Sequence, residues 1–159
     1  MKTIVALLFC ASVALAQCPM HEDHSKEHQA GVDARGDQAM GFDHTKTAHH
    51  FLIKDDGGVI QVTANDPKDT ASRDQIRTHL SHIATMFSDG NFDIPMLIHD
   101  RVPPGVPVMK QQKQNITYRY EEMDLGGRVV LSSQNADAVA AIHEFLRFQI
   151  EDHRTGDPE

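Results

Sequence analysis

One pattern recurs along the chain and restricts its fold more than any other: a β-hairpin signature followed by an amphipathic helix, present twice. In the first copy His49 to Ile53 reads as a strand, Asp55-Asp56-Gly57-Gly58 as a turn, and Val59 to Ala64 as the returning strand. β-Branched residues flanking a glycine pair are the expected hairpin chemistry. A helix is predicted from Ser72 to Ser88, with Ser72 and Gln75 as a capping box and Gly90 as its stop. Ile76, Leu80, Ile83 and Phe87 then fall on one stripe.

The second copy starts at Ile116. Ile116, Tyr118 and Tyr120 alternate with Thr117, Arg119 and Glu121, Gly126-Gly127 turns the chain, and Arg128 to Ser132 returns it. A helix over Asp137 to His153 repeats the stripe with Val139, His143, Leu146 and Ile150. The connection from Asp93 to Met109 holds a short strand, Pro95 to His99, and the rigid segment Pro103-Pro104-Gly105-Val106-Pro107. Two such units predict an α+β two-layer sandwich in ββαββα order, with a four-stranded antiparallel sheet and two helices on one face.

Upstream of this domain, at 42–159, the pattern changes. Residues 17–41 have almost no apolar periodicity and are rich in His, Asp, Glu, Gly and Gln, which predicts a disordered leader. Residues 1–16 read as a signal peptide. Lys2 gives a positive start, Ile4 to Ala16 an apolar run too short to span a bilayer, and Ala14-Leu15-Ala16 an A-x-A cleavage site. Leu15-Ala16-Gln17-Cys18 also resembles a lipobox with Cys18 as the lipidated residue. Gln17, however, stands where a small residue belongs, so cleavage after Ala16 is expected, and with it a periplasmic or secreted protein. Cys10 would leave with the signal peptide, and Cys18 alone cannot form an intramolecular disulfide.

Lys and Arg number 15 against 23 Asp and Glu, for a formal net charge of −8. That balance argues against nucleic acid and anionic membrane surfaces as partners and favours attraction of cations. The residue type that stands out is histidine, with 11 copies and no Trp in the chain. A neutral imidazole nitrogen binds zinc, copper, nickel and iron.

The leader carries Cys18-Pro19-Met20-His21-Glu22-Asp23-His24, followed by His28. Thiolate and thioether with imidazole select Cu(I), and the thiolate also suits zinc. The Cys-Pro-Met-His core resembles the heavy-metal-binding segments of copper and silver efflux adaptors and of some metal-pumping ATPases. Those segments have an upstream aromatic, absent here, and a final Pro, here Glu22.

On the first helix His79, His82 and Met86 share a stripe, which offers two nitrogens and a sulfur to copper or an axial ligand to a haem iron. Their ordinary alternative is the border of a buried face, with Met as core filler. His143 occupies the stripe position matched by Leu80, where a partly buried imidazole needs a partner. If the helices lie side by side it would approach His79 or His82. His49 and His50 point to opposite faces of their strand, so at most one faces the core. His44 and His99-Asp100 lie in connections, and the macrodipole accounts for His153 at a helix C-terminus. An enzyme would have to build its site from His99, Asp100, His143 and Glu144. The chain lacks a nucleophile elbow, a P-loop, a dinucleotide glycine fingerprint, His-Glu-x-x-His and a Cys-x-x-Cys-His haem attachment.

Ser72-Arg73-Asp74-Gln75-Ile76-Arg77-Thr78-His79-Leu80, Ile98-His99-Asp100 with Pro103-Pro104-Gly105, and Ile142 to Ile150 resemble a group of small exported bacterial proteins of unknown function. Members often carry the label aspartate carbamoyltransferase. That enzyme is a longer cytoplasmic protein with a Ser-Thr-Arg-Thr carbamoyl-phosphate loop, which this chain does not contain. The expectation is therefore a periplasmic metal-binding protein, with copper first and zinc next, and with a haem-binding module using His79, His82 or His143 as the alternative.

Overall fold

The computed structural model describes residues 20–159, with side chains from residue 26 onward. The expected signal peptide, Cys18, and the side chains of Met20, His21 and His24 lie outside the described residues. The chain runs α1 (Met20–Met40), β1 (Thr47–Lys54), β2 (Gly57–Ala64), α2 (Thr70–Ser88), α3 (Asp93–His99), α4 (Val106–Gln111), β3 (Ile116–Met123), β4 (Gly126–Ser133) and α5 (Ala136–His153), with short 3-10 turns before β1 and β3. It is an α+β fold with one antiparallel sheet, in the order β1-β2-β4-β3. The ββαββα expectation holds, with α1, α3 and α4 added. No helix among the described residues is long and apolar enough to cross a membrane.

Each hairpin turns in two residues, Asp55-Asp56 and Asp124-Leu125, as the pairings Lys54 with Gly57 and Met123 with Gly126 require. The two glycine pairs, expected in turns, therefore open β2 and β4. They lie in the antiparallel pairing of these two central strands, with Gly58 opposite Leu131 and Gly127 opposite Val62. A Cβ at Gly58 would overlap the Leu146 side chain and the Leu52 carbonyl, and one at Gly126 would overlap the Val62 carbonyl. Close backbone approach is a recognised use of glycine within a strand.

The long helices cover the sheet crosswise. α2 follows the first hairpin but rests mainly on β4 and β3, whereas α5 follows the second and rests mainly on β1 and β2. One core joins them. Asp69, rather than Ser72, caps α2, accepting from the Ser72 N–H (3.0 Å) and hydroxyl (2.7 Å). Gly90 ends it with φ 77° and an N–H bonded to Phe87. The expected stripe of Ile76, Leu80, Ile83 and Phe87 is buried. Leu80 is 1 % exposed, so Leu80→Ala should cost roughly 2–5 kcal/mol in a urea melt.

On α5 the buried face is rotated from the expected one. Ala138, Ile142, Phe145 and Gln149 face the core with Leu146 and Ile150, while Val139 is half-buried at the margin. Phe145 and Ile142 bury more apolar area than Val139 can, and the helix turns to favour them. The segment expected as a strand over Pro95 to His99 is the helix α3. Pro95 sits in its first turn, where no N–H partner is needed, and Asp100 ends it in the left-handed region at φ 53°.

The leader is not a disordered segment over its whole length, because α1 runs to Met40. Its apolar anchors are Val32, 1 % exposed, and Met40, which packs against the core, with polar bonds beside them. His28 Nε2 donates to Asp152 (2.8 Å), and Arg35 Nε donates to the Ile98 carbonyl (2.8 Å). Beyond α5, Asp157 accepts hydrogen bonds from His50 Nδ1–H (2.8 Å) and the Phe51 N–H (2.9 Å).

Candidate functional site

Four histidines from four separate elements converge on one cavity. His49 points inward from β1 beside Phe51, His79 from α2, His99 from the end of α3, and His153 from the end of α5. The cavity has a volume of about 60 Å³ and apolar walls that include Ile60, Val62, Ile83 and Ile98, with Met40 of α1 at its edge. The rings pack on each other and on aromatic neighbours. His49 and His153 stack at 6.0 Å with planes 2° apart, and His99 meets His153 edge-on at 5.0 Å. Phe42 stacks on His49 at 6.0 Å and meets the edge of His79 at 5.7 Å.

Burial dominates the electrostatics. It pushes His49 and His79 down to about 4 and His153 to about 3, and neighbouring histidines add to the effect. His99 is also lowered by burial, against the opposing pull of Asp152. At neutral pH His49, His79 and His153 are therefore uncharged imidazoles with a nitrogen lone pair each, whereas both nitrogens of His99 are engaged, by Asp152 and Gln149. The His49 Nε2 is buried without a hydrogen-bond partner among the described residues. Such an atom costs free energy unless something takes it up.

One of the four rings is held from behind. Asp152 accepts from His99 Nδ1 (2.5 Å) and, through its other oxygen, from His28 of α1 (2.8 Å). Gln149 Oε1 lies 3.0 Å from His99 Nε2. Burial works against ionisation of Asp152, but the bonds from His28 and His99 hold its carboxyl below the usual range. A carboxylate behind an imidazole fixes the ring and raises its basicity, as it does for metal-bound histidines.

The expected site residues are only partly brought together. His79 enters the cavity, and the exposed His82 lines an open groove beside it with Asp74, Gln75 and Thr78. Met86 instead packs against the core. His143 does not approach His79 or His82, since its Nε2–H donates to the Lys54 carbonyl (2.8 Å) at the far end of β1. The set His99, Asp100, His143 and Glu144 is also not assembled. His99 is buried, Asp100 and Glu144 are exposed, and His143 lines a different groove, with Asp55 and Asp56. His28 serves as a tether between α1 and α5.

His153 was missed because helix dipole chemistry explained it cheaply. The corrected phase of α5 would have found it, since Ile142, Leu146, Gln149 and His153 share a stripe. For His49 the signal was its alternation with Phe51 and Ile53. A second donor cluster lies on the surface nearby, where the ligand atoms of Asp37, Asp43 and His44 fall within 4.8 Å of one another. Comparison of the chain with protein-family models, with curated proteins and with solved structures gave no match.

Proposed function

We propose that the protein binds a transition-metal ion, copper first and zinc next, and handles it in the periplasm. The observation that carries this reading is the convergence of three uncharged imidazoles, His49, His79 and His153, on one apolar cavity, with a buried nitrogen of His49 that has no partner among the described residues. Neutral imidazole is the form that ligates copper and zinc, and the thioether of Met40 adds a soft donor at the same wall. The Cys18-Pro19-Met20-His21 segment supports a second, capturing site ahead of α1, and the apolar run of residues 4–16 supports an exported location.

Size favours an ion over a haem in the cavity. About 60 Å³ accommodates one or two small species, whereas drug-sized ligands take about 300–1,000 Å³. A haem would have to sit in the open groove that carries His79 and His82, and a Soret band in the purified protein would favour that arrangement.

Competition against a Cu(I) chelator at neutral pH tests the reading on three forms: the unaltered chain, Cys18→Ser with His21→Ala, and His49→Phe with His153→Phe. Phenylalanine keeps an aromatic ring in the stack, and a melt of each metal-free form checks the fold. Each altered form should lose at least tenfold in affinity at one of two binding steps. Equal stoichiometry and affinity in all three would defeat both sites.

A further inference from the structure

Gln149 is a buried polar side chain of the imidazole cavity, 4 % exposed, with only one end of its amide engaged. It lies one turn before His153 on α5, so the two side chains share a face of the helix. One end of the amide is 3.0 Å from His99 Nε2, and the other is buried without a partner among the described residues. An orphaned amide atom in an apolar cavity costs free energy unless a ligand takes it up. His99 determines which atom is orphaned. Asp152 accepts the His99 Nδ1–H (2.5 Å), and burial keeps the ring uncharged at neutral pH, so Nε2 carries a lone pair and no hydrogen. An amide oxygen held against that lone pair would be repelled. A half-turn of the amide exchanges its oxygen and nitrogen, so that the NH2 group donates to His99 Nε2 and the oxygen takes the orphaned position. The cavity then holds two unpartnered atoms able to offer lone pairs. One is this oxygen, and the other is Nε2 of His49, whose ring stacks on His153 at 6.0 Å.

We propose that the Gln149 amide oxygen is a ligand of the metal ion in this cavity, beside the imidazoles of His49 and His153, and that it selects a divalent ion, zinc or Cu(II), over Cu(I). The inference rests on the metal-binding reading above and adds a ligand and a preference to it. Imidazole nitrogen together with oxygen is a donor set for Cu(II), Ni(II) and zinc, whereas thiolate and thioether select Cu(I). The one sulfur among the lining residues is that of Met40, which is half-buried at the edge of the cavity, while the Gln149 side chain is buried. Asp152 acts from behind. By holding the His99 Nδ1–H it fixes the tautomer of that ring, and through the ring it fixes which end of the amide meets the ion.

Zinc and Cu(I) are titrated separately against competing chromophoric chelators at neutral pH, with oxygen excluded for Cu(I). Every form carries Cys18→Ser and His21→Ala, so that the cavity is read without the Cys18 segment. Two substitutions enter that background: Gln149→Met, which keeps the side-chain length and removes the oxygen, and Gln149→Glu, which keeps an oxygen. Melts of the metal-free forms check the fold. Gln149→Met should bind zinc about tenfold or more weakly, and Cu(I) at least as tightly, compared with the background form. Gln149→Glu should bind zinc at least as tightly as the background form. Unchanged zinc affinity in Gln149→Met would overturn the proposal. So would a parallel loss of zinc and Cu(I), which altered packing alone explains. A loss of about tenfold for zinc in Gln149→Glu would overturn it as well, and that form decides the matter if Gln149→Met does not fold. If the background form binds neither zinc nor copper, the metal-binding reading of the cavity itself fails.

Discussion

The metal-free protein is expected to lose stability steeply as the pH falls from about 6.5 to about 4, and to unfold within that interval. His49, His79 and His153 have folded-state values lowered to about 4, 4 and 3, whereas an unfolded histidine titrates near 6.5. Above 6.5 neither state binds these protons and the stability is fully present. Below 6.5 the unfolded chain binds three protons that the folded protein refuses, so each falling pH unit favours unfolding by up to about 4 kcal/mol. On that slope a domain stable by about 5 kcal/mol reaches its midpoint near pH 5, and one stable by about 10 kcal/mol near pH 4. The lowered carboxyls of Asp43, Asp69, Asp152 and Asp157 act in the same direction but at lower pH, where they become protonated. Circular dichroism at fixed temperature from pH 8 to pH 3 measures the transition. The His49→Phe and His153→Phe form should shift the midpoint downward by at least half a pH unit. A transition that stays below pH 3, or one that ignores those substitutions, would contradict burial of the rings.

Gly105→Ala should be among the most damaging small substitutions in the chain, at about 2–6 kcal/mol. Two costs coincide there. Gly105 has φ 79°, a backbone conformation that L side chains rarely adopt, and it seats the start of α4 directly against the backbone of α5. An added Cβ would overlap the Ala141 carbonyl and lie 3.1 Å from the Phe145 nitrogen, neither of which can rotate aside. Relief would require α4 to lift, exposing Val106 and Met109, which are 1 % and 0 % exposed. Urea melts compare the variant with the unaltered protein. A cost under about 1 kcal/mol would mean that the approach of α4 to α5 is looser than the contact requires.

The hairpins and α2 were legible because their apolar positions recur at the period of their own element and nowhere else. Ile116, Tyr118 and Tyr120 can face one side only as a strand, and Ile76, Leu80, Ile83 and Phe87 only as a helix. On α5 two stripes competed, one through Val139 and His143 and one through Ala138, Ile142 and Phe145, and periodicity alone did not rank them by area. α1 was invisible to the same reasoning because it docks through only two apolar side chains, Val32 and Met40, and a few polar bonds. α3, at seven residues, is too short to show a period. The histidine cavity was legible only in its ingredients. Its rings come from positions 49, 79, 99 and 153, and what unites them is the tertiary packing of β1, α2, α3 and α5.

The crosswise seating of α2 on β3 and β4, and of α5 on β1 and β2, also governs how the chain must find its fold. A hairpin-plus-helix half released alone keeps only the smaller part of its helix cover, α2 on β2 or α5 on β4, since the helix that covers most of its strands lies in the other half. Each half therefore leaves most of its sheet face uncovered when alone, despite the repeated layout. Much of the apolar burial thus depends on contacts between the halves, whose loop-closure cost works against fast folding. It also ties the imidazole cavity to completion of the whole: His49 and His153 meet only once the last helix has reached back across the first hairpin.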